Sequence, residues 1–275
     1  MVFTTMDQSP LLIAQVTDIH LFADENQELL GLLTTQSFKA VIERLLSLQP
    51  QPDLLLLTGD LSQDGTPESY ERVQKLLSPL KMPTYWIPGN HDCISAMQQV
   101  LNRAPFSPRK AFNRGNWKFL LINSAAPECV HGHLSPQTLA WLDFHLALLG
   151  FGSDSVLNPT VVALHHPPFC VNSDWLDTST LQNPQQLFAV LDRHPQVKMV
   201  LFGHIHQEFN YQRHGVHYLG TPSTSVQFKP QSLDFSLDNE SSGFRLLNLY
   251  PDSTWETWIE RVGQAHKSNM TAKGY

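Results

Sequence analysis

Five times along this 275-residue chain a short apolar run stops abruptly at a cluster of Asp, Asn or His. Residues 11–17 end in Asp18-Ile19-His20, 54–58 in Gly59-Asp60, and 84–87 in Pro88-Gly89-Asn90-His91. Residues 161–164 end in His165-His166-Pro167-Pro168, and 197–202 in Gly203-His204-Ile205-His206. Runs this short, rich in branched residues and closed by Gly or Pro, read as buried strands. Between the first three lie helices: Phe38, Val41, Ile42, Leu45 and Leu46 recur at helical spacing before Pro50 and Pro52, and a second helix spans 67–77. The alternation predicts an α/β fold. Polar side chains at strand ends then fall where the ligand sites of such sheets collect, beyond the carboxyl ends.

The middle of the chain changes character. Residues 111–124 read as an antiparallel hairpin turning at Arg114-Gly115-Asn116. Ser135 caps a helix that has Pro136 at its first position and Leu139, Leu142, Leu146 and Leu149 along one face. A further hairpin turns near His214-Gly215, strands are expected over 242–249 and 254–259, and the polar tail from residue 264 is expected to be loose. No repeat, low-complexity stretch or linker divides the chain, so residues 1–275 read as one domain.

Several function classes are excluded by what is missing. No apolar run is long enough to cross a bilayer, and the first residues carry no secretory signal, so the cytoplasm is the expected compartment. Cys93, Cys129 and Cys170 are odd in number and lack metal-type spacing, which argues against a disulfide framework and a thiolate zinc site. With 18 Lys and Arg against 25 Asp and Glu, and no basic cluster, a long nucleic acid is not an expected partner.

A metal that activates water needs several N and O donors at once with a position left open, and His, Asp and Asn supply that chemistry. Each fragment recurs by chance in unrelated proteins; the ordered set of five is specific. That set resembles the calcineurin-like metallophosphoesterase superfamily. More narrowly, Thr17-Asp18-Ile19-His20-Leu21-Phe22, Gly59-Asp60-Leu61-Ser62-Gln63-Asp64, Trp175-Leu176-Asp177, the stretch 221–230 and the Gly-Tyr end are similar to the bacterial class III cyclic-nucleotide phosphodiesterases. The resemblance implies a four-layer αββα sandwich of two facing mixed sheets flanked by helices. It also implies two divalent ions, iron or manganese foremost, with zinc or cobalt also suited to such donors. Asp18, His20 and His206 would hold the first ion, and Asn90, His165 and His204 the second. Asp60 would bridge both. His165 rather than His166 is implied as the ligand, with His166 behind it.

By the same resemblance the chain hydrolyses the cyclic phosphodiester of 3',5'-cyclic AMP to 5'-AMP, with metal-bound hydroxide as nucleophile. Two divalent ions, two ligating carboxylates and a hydroxide leave a net charge of about +1, which suits a phosphate anion, and neutral Asn90 preserves it. His91 follows Asn90 directly and is the expected general acid. Substrate is expected against His20, Asp60, Asn90, His91 and His206. Two rival functions stand beside this one: another small phosphodiesterase, for glycerophosphodiesters or nucleotide derivatives, and a non-catalytic scaffold of the same fold. His131, His133, His145, His194, His214, His217 and His266 read as surface or hairpin residues, with His131-Gly132-His133 placed in a loop near the site. Cys93 reads as a small buried hydrophobe, and Trp175 as packing rather than a base-stacking platform. The stretch 223–229 is left with two open roles, closure over substrate or a subunit contact such as a homodimer.

Overall fold

In a computed structural model, β1 (Leu11–Val16) shows how the chain builds layers. Alternate side chains of a strand face opposite ways; Ile13 points into one apolar layer, while Ala14 and Val16 point into another. The structure describes residues 9–148, 157–263 and 269–274. After β1 come the two-residue strands β2 (Glu28–Leu29) and β3 (Leu32–Leu33), α1 (Thr34–Ser47), β4 (Leu54–Thr58), α2 (Pro67–Leu77), β5 (Thr84–Ile87), α3 (Ile94–Val100) and β6 (Phe106–Ser107). The second half holds β7 (Ala111–Arg114), β8 (Trp117–Leu121), α4 (Pro136–Ala147), β9 (Thr160–Ala163), α5 (Asp174–Asp177), α6 (Pro184–Leu191) and β10 (Val197–Phe202). It closes with β11 (Phe209–Arg213), β12 (Val216–Gly220), β13 (Gly243–Leu249) and β14 (Trp255–Arg261).

Twelve of these strands form two mixed six-stranded sheets, ordered β14-β13-β1-β4-β5-β6 and β11-β12-β10-β9-β8-β7, and β2 pairs with β3 in a separate two-stranded ribbon. Between them lies a shared core in which Ile13, Leu54, Leu56 and Ile87 meet Trp117, Phe119, Leu121, Val161, Ala163, Met199 and Leu201. The outer face of the first sheet is covered by α1, α2 and α3 through Phe38, Val41, Leu45, Tyr70, Val73 and Met97. The outer face of the second is covered by α4 and α6 through Leu142, Leu146, Leu187, Phe188 and Leu191. Each fully buried Leu, Val or Phe contributes about 1.5–3 kcal/mol, so the three layers together fix the sandwich. The implied four-layer αββα architecture is the observed one.

The local readings fare well where chemistry was explicit. Thr66 caps α2 by accepting from the Ser69 amide, and Ser135 caps α4 by accepting from Thr138. Both hairpins turn where expected, at Gly115-Asn116 and His214-Gly215. On α4 only Leu142 and Leu146 are fully buried, Leu139 is half-buried, and Leu149 lies outside the described residues. In the tail, 264–268 lie outside the described residues, and the Asn269 amide donates to the Leu30 carbonyl at 2.7 Å. Among the described residues no helix is long and apolar enough to cross a membrane.

Topology places the site. Strands β1, β4 and β5 run parallel in one sheet, and β8, β9 and β10 run parallel in the other. The two sets of carboxyl ends meet at one edge of the sandwich. Gln15 ties them together from within: its side-chain amide donates to Thr58 Oγ1 at 3.0 Å and to the Phe202 carbonyl at 3.2 Å. Its Oε1 accepts from Thr221 Oγ1 at 2.7 Å.

Candidate active site

Three of the five polar clusters leave their strands with the backbone twisted into the left-handed region. Asp18, His20, Asp60, His204 and His206 have φ of 54°, 50°, 50°, 68° and 50°. Residues with a Cβ pay about 1–2 kcal/mol for this conformation, which persists where surrounding bonds impose it. Here they do: the Asp18 amide donates to the Gly59 carbonyl at 3.0 Å and the His20 amide to the Asp60 carbonyl at 2.9 Å. The His204 amide is held by the Asp18 carboxylate at 3.0 and 3.2 Å. The twist brings successive polar side chains onto one side of the loop.

Six of the seven side chains expected to bind metal, Asp18, His20, Asp60, His165, His204 and His206, converge. Asp18 Oδ1 lies 3.3 Å from His206 Nε2, 3.9 Å from His20 Nε2 and 4.0 Å from His165 Nε2. Asp60 Oδ2 lies 3.2 Å from His165 Nε2 and 3.9 Å from His20 Nε2, between the two groups, while its Oδ1 accepts from the His91 amide at 2.9 Å. His204 stands beside His165, with ring centres 5.2 Å apart. Asn90 presents a buried Oδ1 with no hydrogen-bond partner. His91 is half-buried at the rim, its ring edge-on to His20 at 5.1 Å. Glycine permits this crowding: a Cβ on Gly89 would fall on Asp60 Oδ1, and one on Gly203 on Thr17 Oγ1.

The donors are turned inward by partners on their far side. His20 Nδ1–H donates to Gln63 Oε1 at 2.6 Å, His165 Nδ1–H to the Thr58 carbonyl at 2.8 Å, and His206 Nδ1–H to the Val226 carbonyl at 2.8 Å. With the proton on Nδ1, each ring presents the lone pair of Nε2 to the cluster. The Nε2 atoms of His20 and His206 then face each other at 3.2 Å, acceptor against acceptor. An electron-pair acceptor between them resolves that repulsion, as it does the orphaned Asn90 oxygen. The side chains therefore fit divalent cations.

Electrostatics agrees. Burial pushes His20 down to about 3, and burial with neighbouring His165 pushes His166 to about 3, so both are neutral imidazoles. His204 is likewise held well below its ordinary value by burial, His166 and His165. His165 is the exception: burial opposes its charge, but Asp60 and Asp18 raise it to about 9, and the same pairing holds Asp60 well below the usual carboxylate range against its own burial. In the absence of metal a proton at His165 fills the place of a cation. His166 has both nitrogens engaged, Nδ1 with Ser124 Oγ at 2.8 Å and Nε2 with the Val130 carbonyl at 3.0 Å. It stands behind His165 and pins the loop that carries Gly132.

Other sequence readings find their places. The stretch 223–229 backs the site: Ser223 and Ser225 hydroxyls donate to the Asp18 carbonyl at 2.7 and 3.2 Å, and Phe228 stacks on the His206 ring at 4.1 Å. Trp175 packs against Phe228 and Phe235 at 4.9 and 5.0 Å, as packing was read. Cys93 is half-buried beside Ser95 rather than buried, because it opens α3 at the surface. His131, His133, His145, His194, His214 and His217 are all half-buried or exposed, and His266 lies outside the described residues. The partners Gln63, Asp92, Ser124 and Ser179 were missed. Gln63 and Asp92 sit within or beside the motifs; Ser124 and Ser179 carried no signal. Asp92 receives the amides of Leu61, Ser62 and Gly89 and the Tyr70 hydroxyl, locking the Asp60 and Asn90 loops together.

A two-sheet sandwich that gathers buried His, Asp and Asn donors around a shared carboxylate at its strand ends defines a metallophosphoesterase. The sequence model of the calcineurin-like phosphoesterase family matches residues 11–208, and the chain belongs to that family. It is 59% identical over 256 residues to a 3',5'-cyclic-nucleotide phosphodiesterase of Nostoc sp., covering 93% of this chain and 94% of that one. It is 39% identical over 265 residues to a 3',5'-cyclic adenosine monophosphate phosphodiesterase of Escherichia coli, covering 96% and 94%. In fold it is similar to a dimetal phosphatase from Danio rerio, with a TM-score of 0.65 at 15% identity over 92% of this chain and all of that one.

Proposed function

We propose that this chain hydrolyses 3',5'-cyclic AMP to 5'-AMP. The chemistry is carried by one observation above all, the paired Nε2 atoms of His20 and His206 facing each other at 3.2 Å beside Asp18. The substrate is supported by the relatives, the one from Escherichia coli named for 3',5'-cyclic adenosine monophosphate and the one from Nostoc sp. for 3',5'-cyclic nucleotides, each matched over more than nine-tenths of the chain. Asp18, His20 and His206 would hold one divalent ion and Asn90, His165 and His204 the other, with Asp60 shared. Iron or manganese suits this mixed nitrogen and oxygen set. Two such ions supply Lewis acidity toward phosphate and bring the pKa of a coordinated water toward about 7.

The protein's own part is positioning and proton delivery. His20, Asp60, Asn90, His91 and His206 form the face presented to the phosphate. Asn90 adds a donor oxygen without charge, so the anionic substrate meets one carboxylate fewer. As the new bond to phosphorus forms and the bond to the 3' oxygen breaks, His91 at the rim gives its proton to that leaving oxygen. The free cysteines Cys93, Cys129 and Cys170 support action in a reducing cytoplasm. Because both sheets contribute ligands, the chain acts as one domain.

Product analysis on metal-replete protein tests the reading, with cyclic AMP, cyclic GMP and a glycerophosphodiester offered in parallel and the ions counted in the same preparation. Cyclic AMP is expected to give 5'-AMP and no 3'-AMP. Turnover of the glycerophosphodiester with none of cyclic AMP would replace the substrate, and no hydrolysis of any ester would leave only a scaffold.

A further inference from the structure

We propose that Ser179 is a positioning residue: it fixes the proton of His204 and so keeps the other nitrogen of that ring available to the second ion. The inference rests on the reading of His204 as a ligand. His20, His165 and His206 each give Nδ1–H to a carbonyl oxygen, a group that only accepts, so one bond settles where each proton sits. His204 is arranged the other way round. Its Nε2 lies 2.8 Å from Ser179 Oγ, and a hydroxyl can give or take.

The ambiguity is removed one bond further out. The Ser179 hydroxyl donates to the Leu176 carbonyl at 2.8 Å, in the turn that closes α5, where the Ser179 amide bonds the same oxygen at 2.9 Å. With its single proton committed there, Oγ has only lone pairs for His204. Nε2 therefore carries the hydrogen, and Nδ1 carries the lone pair. Ser179 and His204 are 9% and 6% exposed, so water does not compete for either bond.

The serine is itself held from both sides. The Thr180 carbonyl accepts from the Gly132 amide at 3.2 Å, and the Leu181 amide donates to the Pro167 carbonyl at 3.0 Å, next to His165-His166. On the other side Trp175 rests on Phe228, which stacks on His206. One short segment thus braces both histidines of Gly203-His204-Ile205-His206, one through a hydroxyl and the other through an aromatic stack. Of the four imidazoles, only His204 depends on a side-chain hydroxyl for its proton.

The metal-loaded full chain, titrated with a chelator while the ions retained per chain are counted, tests this with three variants. In Ser179→Ala the second ion is expected to be held about 10- to 100-fold more weakly while the first is unchanged, the usual scale for losing a partner behind a ligand. Ser179→Thr, which keeps the hydroxyl, is expected to stay within a few-fold of the parent, and His204→Ala to lose the second ion altogether. If His204→Ala loses an ion but Ser179→Ala binds both as the parent does, the positioning role is wrong and the ligand reading stands. If His204→Ala keeps both, the ligand reading falls and takes the proposal with it. Parallel loss of both ions from Ser179→Ala, or a Thr variant no better than Ala, would reduce the serine to packing.

Discussion

His91 and Asn90 are neighbours in sequence with opposite fates. Asn90 keeps its Oδ1 buried and without a hydrogen-bond partner, while the His91 side chain stays half-exposed at the mouth and its amide serves Asp60. The His91 imidazole stands beside His20 and Asp60 but is not one of the seven proposed ligands, so removing it should separate proton delivery from metal binding. His91→Ala is expected to lower kcat by about 10²–10⁴, the range for a lost general acid, with both ions retained. Undiminished turnover at full metal content would rule out the assignment. At this scale the seven donors were legible because their chemistry is costly to bury without a purpose. The partners behind them were not. Ser179 reaches His204 across 25 residues and Gln63 reaches His20 across 43, and no local pattern marks either contact.

At the level of elements, a strand is useful here for where it stops. The five buried runs were legible from their apolar character, and Ser135 with Pro136 announced a helix. The short elements β2, β3, β6 and α5 were not legible, since two to four residues carry no periodicity and are held by contacts made elsewhere. The Leu30 turn, for example, is met by Asn269 from the far end of the chain. Glycine at the strand ends is as constraining as the donors that follow it. A methyl at Gly89 would displace the Asp60 carboxylate from the position between the two groups. Gly89→Ala is expected to cost about 1–3 kcal/mol in chemical denaturation, as overpacking does, and to lose at least one ion. A variant with parental ion content and activity would show that the loop has room to relax.

Across the whole molecule the donors divide by sheet. Asp18, His20, Asp60 and Asn90 follow strands of the first sheet, and His165, His204 and His206 follow strands of the second. Ions held between them would join the two halves of the sandwich at one edge and make metal binding part of folding. With free metal at 100 times its Kd, one site adds about 2.7 kcal/mol, and at this chain length that corresponds to a Tm shift of about 5–10 °C. Chelation should remove it. The difference should also depend on pH with a definite sign. Without metal, burial opposes the His165 charge, but Asp60 and Asp18 raise that group from an ordinary 6.5 to about 9. A raised value means the proton's contribution is fully present below pH 6.5 and fades as pH climbs toward 9. The metal-free protein should therefore weaken across that window, and the gap in Tm between loaded and stripped protein should widen from pH 6.5 to 9. A gap that narrows over this range, or stripped protein as stable as loaded protein at pH 9, would show that the ions do not join the two sheets.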